Sequence, residues 1–476
     1  MEDLLSAFLQ GHAAKGVYPF HMPGHKQNPT FFPQNMHGWD ITEIPGADNL
    51  NHPTGTILRL QQRLAKLFGA EESLLSVNGS TGGNLAAIMS HCSGGAMIMS
   101  RNAHRSAFGA LTLADVRPVY IQPEMTEHGF CGEVTPEAVA EALQANVALD
   151  MRAVFVTSPT YEGVVSDITA IAGIAHAHGL PLIVDEAHGA HMAFAEAFPR
   201  SALACGADVV IQSLHKTLPY MTQTAVVHMQ GTLAKRMQMA RMLSVIQTSS
   251  PSYVLMGQAD YVTAELEQSK GALFDAYIER LTAFRDAVAG LRHVQLFDGE
   301  GVFDADKGKL VFILPEALSG EAFERQMYAN HRVQLEMSGL HHAIAMTSPA
   351  DTKEGFDRLL DGLRAIDAAC DGRCAKGAVL SVVPNAPQLA LNPREASLCE
   401  TEEVPLAEAR GRVAASFLIP YPPGIPLVAP GEVVTDEVIE KFCVCLDNGI
   451  PVIGQGDHNC VAVIGRSAVK GSGFNS

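Results

Sequence analysis

In GADVVIQSLHKTL (206–218) a lysine follows an apolar run, where a charged amine is costly to bury unless something answers it, so Lys216 needs a chemical reason. A second apolar run, in LIVDEAHGAH (182–191), ends on the acid Asp185. A third feature, SVNGSTGGN (76–84), puts a Gly-rich, hydroxyl-bearing turn between a strand and a helical stretch, with Ser80 and Thr81 at the helix start. A lysine can form an imine with a carbonyl cofactor, a carboxylate can keep a pyridine nitrogen protonated, and a helix N-terminus can hold a phosphate. Together these are the requirements of pyridoxal phosphate, whose protonated ring serves as an electron sink. Singly they say less. The turn lacks GxxxxGK[ST] and alone reads as a strand-to-helix connection, and Asp185 alone reads equally as a cap on the next turn or as a functional acid.

The elements that must position these residues follow from periodicity. From about residue 55 to 230, apolar β-branched runs (SLLSV, AMIMS, VRPVYIQ, AVFVTS, LPLIVDEA, ADVVIQS) alternate with Ala-rich helical stretches. Strands apolar on both faces, separated by helices, predict a doubly wound, mainly parallel α/β sheet, with ligands at the carboxyl ends of its strands. Between Asp185 and Lys216 there is room for one helix and one strand, which returns the lysine beside the acid. Residues 258–292 predict one long helix. HVQLFDG, KLVFILP, RVQLEMS and AIAMTS, with helices near 319–330 and from about 351, predict a small α+β domain. A Gly, Pro and Asn-rich stretch at 370–400 marks a boundary before a C-terminal α+β region. The expected division is an N-terminal segment 1–50, a large cofactor-binding domain 51–290, a small domain 291–372 and a C-terminal domain 373–476.

Length and composition bound the function. A chain of 476 residues exceeds one hydrophobic core, and 33 Lys plus Arg against 51 Asp plus Glu give a net charge of -18. That charge argues against nucleic acid or an anionic membrane as partner and favours a small-molecule enzyme. MEDLLSAFLQ lacks the basic flank and apolar core of a signal peptide, and no run of 18 apolar residues follows, so a cytoplasmic protein is expected. Nine cysteines spread along the chain read as reduced thiols. Cys370, Cys374, Cys443 and Cys445 lack a complementary set at zinc spacing, so no metal is expected.

Nine stretches in order, FHMPGHK (20–26), DITEIPGADNLNHPTGTI (40–57), SVNGSTGGN, SRNAHRSA (100–107), SPTYEGVVSDI (158–168), VDEAHGAH, QSLHKTL, TSSPSYVLM (248–256) and PYPPGIPLVAPGE (420–432), carry a resemblance across nearly the whole chain. The chain resembles the Orn/Lys/Arg decarboxylases, in their short bacterial form, on the aspartate-aminotransferase-like fold of pyridoxal phosphate enzymes (fold type I). The resemblance implies that Lys216 forms the imine, Asp185 pairs with the pyridine nitrogen, and His104 stacks on one ring face while Ala187 approaches the other. It implies cofactor or phosphate contacts for Ser80, Thr81, Ser213 and His215. Thr248, Ser249 and Ser250 would reach the cofactor phosphate of a partner subunit, which implies a homodimer. Plainer roles stand beside these: His104 as a helix cap, TSSPSY as the N-cap of the next helix, His21 and His25 as stabilisers of a Pro-Gly turn. Two departures stand out. The N-terminal wing of the long family members is not expected here, and Ser416 lies near a position where the family carries an acid.

The expected reaction is decarboxylation of arginine, lysine or ornithine to agmatine, cadaverine or putrescine. An aminotransferase or another lyase on the same fold is the alternative, and a catalytically silent binding protein the third reading. Aminotransferases clamp the substrate carboxylate with a small-domain arginine, and AIAMTSPADTKEG (343–355) contains none, although Arg332 is a possible clamp. A firm clamp would stabilise the group that decarboxylation must lose. Intact Lys216, Asp185 and His104 argue against the silent reading. The distal cation of a basic substrate needs a carboxylate. Glu432 is the first candidate, with Glu43 and Asp48 as runners-up.

Overall fold

The apolar strands form one seven-stranded sheet in the computed structural model, which describes residues 5–370, 387–421 and 424–465. Across the sheet the order is Glu72–Ser76, Ala225–Met229, Val209–Gln212, Leu182–Asp185, Met151–Thr157, Ala96–Ser100 and Arg117–Ile121. Ala225–Met229 alone runs antiparallel to its neighbours, and the other six strands point the same way. Both faces are covered because successive side chains point to opposite sides. Leu75, Ile98, Val154, Leu182, Val184 and Val210 enter one core, with the helices Thr56–Phe68, Ile168–Ala177 and Tyr253–Val288. Leu74, Met97, Phe155, Ile183, Val209 and Ile211 enter the other, with Gly79–Cys92, Arg105–Ala114 and Arg236–Ile246. This is the doubly wound arrangement expected from the alternating pattern.

Tyr253–Val288 is the expected long helix, 36 residues and about 54 Å at 1.5 Å per residue. Beyond it an antiparallel sheet, ordered Gln295–Leu296, Lys309–Ile313, His342–Met346 and Met337–Ser338, packs with Gly320–His331 and Lys353–Ala369. The N-terminal strand Tyr18–Phe20 pairs in parallel with Val333–Leu335. It thereby sends HMPGHK between the small sheet and the Lys216 turn. Gly24 N–H donates to the His215 carbonyl at 2.7 Å, and a Cβ on Gly24 would stand 2.6 Å from the Leu218 carbonyl oxygen. Only glycine fits that approach.

The region after residue 387 has its own apolar cluster, including Leu406, Leu427, Val438 and Phe442, around the antiparallel pair Thr401–Pro405 and Cys460–Ile464. Much of the boundary stretch, with Cys374, lies outside the described residues. The C-terminal region is tied to the large sheet by a fully buried ion pair, in which Arg101 donates to both Glu432 oxygens at 2.6 and 2.8 Å. Arg101 also lies over the Tyr120 ring, 4.7 Å from its centroid. Burial pushes the Glu432 carboxyl upward, and Arg101 opposes that push.

Breaking such a pair leaves an unanswered buried charge, whereas replacing both partners by apolar groups removes the desolvation cost as well. Arg101→Met should therefore lower stability by about 3–5 kcal/mol, read by denaturant unfolding. Adding Glu432→Leu to it should recover much of the loss, and a double variant no more stable than Arg101→Met would show that the pair's charges are not what matters.

Candidate active site

Three strands deliver the site to one end of the sheet. Asp185 ends Leu182–Asp185 and pairs in register with Ile211 of the neighbouring strand. That strand runs into the short turn Leu214–Thr217, which carries Lys216. Glu72–Ser76 runs into Gly79–Cys92, whose first turn holds Ser80 and Thr81. Ser80 and Ser213 touch through their hydroxyls at 2.8 Å, so the Gly-rich turn and the lysine turn meet. The helix lies close because Gly83 packs on the sheet, where a Cβ would stand 2.7 Å from an Ile211 methyl.

Asp185 is 3% exposed and oriented on both oxygens. Asn84 Nδ2 donates to Oδ2 at 2.7 Å and the Ala187 N–H to Oδ1 at 3.1 Å. Asn84 also donates to Ser106 Oγ at 3.1 Å, which lies 2.8 Å from His104 Nδ1. His104 Nδ1 further accepts the Ser106 N–H, so the histidine does cap the helix Arg105–Ala114. It is also near enough to Asp185 and Lys216 to feel both charges. Buried Asn84 Oδ1 and Thr217 Oγ1 have no hydrogen-bond partner.

The other half of the site is cationic, and the sequence reading missed it. Lys216 Nζ lies 3.0 Å from His188 Nε2, and His188 Nδ1 lies 2.8 Å from Lys309 Nζ. Lys26, from HMPGHK, donates to the carbonyls of His21 and Met346 at 3.0 and 2.8 Å. Glu336 feels all three lysines and accepts from Tyr161 Oη and from the Met22 N–H at 2.8 Å. Burial lowers the pKa of Lys216, against the pull of Asp185 and Glu336, and lowers Lys309 to about 8. Burial likewise raises the nearby Glu162 carboxyl to about 7. His188 sits in DEAHGAH and was legible as a motif residue. Nothing in the sequence pointed to Lys309 or Glu336, which arrive from the small domain.

Several expectations fall elsewhere. Glu432 cannot read a substrate cation, because Arg101 and the Ala429 N–H at 2.7 Å occupy its carboxylate in a fully buried pair. Asp48 is a backbone anchor instead, accepting from the N–H groups of Asn49, Thr54, Gly55, Ile57 and Leu58. Arg332 is no clamp: it ends the helix Gly320–His331 in a left-handed conformation and reaches the Lys15 carbonyl. Glu43 remains, with a buried Oε1 that has no hydrogen-bond partner. Thr248, Ser249 and Ser250 are exposed within one chain, while Ser252 caps the long helix by accepting the Leu255 N–H. His25 Nδ1 accepts the Gln27 N–H, a turn-stabilising contact. His215 Nδ1 lies 2.9 Å from the Thr224 carbonyl oxygen. Among the described residues no His, Cys, Asp and Glu cluster fits a metal ion, and no helix is long and apolar enough to cross a membrane.

The sheet order and the site at its strand ends define a class, and solved structures agree. The fold matches SPT with PLP (TM-score 0.54, 14% identity, covering 74% of this chain and 88% of that one). It matches the constitutive lysine decarboxylase of E. coli more fully (TM-score 0.77, 21% identity, 92% of this chain, 76% of that one). Residues 4–324 match the major domain of the Orn/Lys/Arg decarboxylases and residues 378–449 their C-terminal domain. The arginine decarboxylase of Bacillus subtilis (strain 168) is 31% identical over 472 residues, 96% of each chain. The chain belongs to the Orn/Lys/Arg decarboxylase family. It is an amino-acid decarboxylase acting on a basic amino acid, and the family and its fold neighbours imply pyridoxal phosphate. The residues present fit that group: an oriented buried carboxylate, a lysine one strand away, a helix N-terminus with paired hydroxyls, and the unpartnered Asn84 and Thr217 oxygens beside them.

Asp48 also generates a pH prediction. Burial pushes its carboxyl up, but N–H groups led by Thr54 and Gly55 outweigh that and hold it at about 2, below its ordinary 3.8. A depressed carboxylate stabilises the fold above its unfolded pKa, so the contribution is complete above about pH 4 and lost as pH falls towards 2. Melting temperatures followed from pH 5 to pH 2 should fall less steeply for Asp48→Asn than for the parent chain, the variant starting lower.

Proposed function

We propose that this chain carries pyridoxal phosphate on Lys216 and converts L-arginine to agmatine and CO2. The observation that carries the cofactor assignment is the meeting, at one sheet end, of Lys216, the doubly held Asp185 and the Ser80–Ser213 hydroxyl pair. Arginine is favoured over lysine and ornithine by the near-complete match to arginine decarboxylases at 30–32% identity. The bound group supplies the electron sink. The chain's residues do the rest. A lowered Lys216 pKa keeps more of the amine unprotonated and nucleophilic near neutrality. Asp185, fixed by Asn84 and Ala187, holds a proton on the ring nitrogen, and the first-turn N–H groups with Ser80 and Thr81 take the phosphate. Ser213 and His215 would help to hold that phosphate at the lysine turn, and His104 and Ala187 would hold the ring between them.

The exposed Thr248–Ser250 segment supports a homodimer in which it reaches the partner's phosphate. Thr248 is joined by its carbonyl to Asn51, and Tyr253 by its hydroxyl to the Asp48 carbonyl. Glu43 lies near enough to Tyr253 for its charge to act there and has a buried Oε1 with no hydrogen-bond partner, so we assign the distal guanidinium to Glu43. A cytoplasmic location and the four-part division at 50, 290 and 372 complete the reading.

Borohydride should fix the cofactor to the peptide carrying Lys216, and label on any other lysine sinks the assignment. Asp185→Asn should lower kcat by at least about 100-fold, because the ring proton is no longer held by a charge. A near-normal rate would leave Asp185 a capping residue. Released CO2 and agmatine from arginine, against cadaverine from lysine and putrescine from ornithine, identify the substrate, and an α-keto acid formed with an acceptor would establish the aminotransferase instead. Glu43→Gln should raise the KM for arginine by about tenfold, equivalent to roughly 1.4 kcal/mol, with little change in kcat.

A further inference from the structure

His188 links two lysines, and the link constrains where protons sit. An imidazole without added charge has one N–H and one lone pair. Lys309 at 2.8 Å from Nδ1 and Lys216 at 3.0 Å from Nε2 cannot both donate to it. One satisfied arrangement has a Lys309 ammonium donating to Nδ1 while Nε2–H donates to a neutral Lys216 amine. The other has the proton on Nδ1, Lys309 neutral and Lys216 an ammonium. The two differ by one proton moved through the ring. His188 is 6% and Lys309 3% exposed, so bulk water does not short-circuit the path.

We propose that Lys309, through His188, supplies the proton that Lys216 delivers to the substrate α-carbon after CO2 leaves. The proposal rests on the assignment of Lys216 as the cofactor lysine. When the C–CO2 bond breaks, its electron pair stays with the α-carbon. In the first arrangement Nε2–H of His188 passes its proton to the Lys216 amine as Nδ1 takes one from the Lys309 ammonium, which leaves the second arrangement with Lys216 charged. A C–H bond then forms at the α-carbon as an N–H bond of that Lys216 ammonium breaks. Lys309 regains its proton from solvent between turnovers; Glu336, whose charge acts on Lys309, lines a cavity of about 530 Å³ with His21 and Met22. One proton is consumed for each CO2 released, as the overall reaction requires.

The groups around the relay suit it. Burial and the charges of Lys216 and Lys309, with His104 and His215 behind them, keep His188 from holding a second proton. Lys309 faces Asp306 and Glu336, which raise its pKa, and Lys216 and Lys26, which lower it. Lys216 faces Asp185 and Glu336. With burial, the balance leaves Lys309 at about 8. It can then give up a proton and regain it near neutral pH.

The test uses holoenzyme of the parent chain, His188→Gln and Lys309→Met, with arginine as substrate. Glutamine keeps a donor and an acceptor but cannot pass a proton. His188→Gln should keep its bound cofactor and a KM within about threefold, while kcat falls about 100-fold. In the parent, kcat should decline above a limb near pH 8, and Lys309→Met should lose that limb. Without substrate, Lys309→Met should also raise the pKa of the bound cofactor's visible absorbance by about one unit, since a nearby like charge is gone. A His188→Gln kcat within threefold of the parent overturns the relay. So does a lower kcat in both variants with the limb and the absorbance titration unmoved, since that pattern marks a purely structural role. If the parent shows no visible absorbance, the Lys216 assignment fails instead, a result separate from either of these.

Discussion

Keeping three amines out of water beside one another is the constraint around which this site is built. A lone buried ammonium costs several kcal/mol, and neighbouring amines add repulsion. Lys26 is answered by two backbone carbonyls, while Lys309 and Lys216 share the imidazole of His188. A single carboxylate, Glu336, stands among all three, itself held by Tyr161 and the Met22 N–H. Asp351, Asp185 and Asp306 add one further carboxylate each to Lys26, Lys216 and Lys309, and burial still outweighs these charges and lets all three amine pKa values fall.

The acidic side of the site obeys the opposite rule. Asp185 is held in a buried place by directed donors, Asn84 and the Ala187 N–H, with Asn84 itself placed by Ser106. Glu432 is held by Arg101 in a pair that ties the C-terminal region to the large sheet. Two buried acids thus have different uses, and their partners tell them apart. Asp185 is met by a neutral amide and a backbone N–H, whereas Glu432 is met by the Arg101 guanidinium.

Much of this was legible in the sequence because it is local. Apolar runs between Ala-rich stretches gave the doubly wound sheet, and strand ends located Asp185, Lys216 and the Ser80 turn. The substrate carboxylates were not legible. PGE at 430–432 reads as an accessible loop acid until Arg101, more than 300 residues earlier, is seen to occupy it. Asp48 looked available for a cation because nothing in DNLNHPTGT announces five backbone donors folding around one carboxylate. Lys309 and Glu336 were invisible for the complementary reason. A lysine opening KLVFILP reads as a solvated strand terminus, and only the packing of the small domain on the large one turns it inward.

Gly24 has a mechanical consequence. Its N–H is bound to the lysine turn, its carbonyl accepts from Ser348 Oγ at 2.5 Å, and the strand two turns of chain earlier is stitched to Val333–Leu335. One short segment thus straps the small domain to the loop bearing Lys216. A hinge between the two domains could not swing without dragging on the loop that carries Lys216 or tearing the strap loose. Traffic of substrate and product must then rely on side-chain and loop movements around a stiff frame.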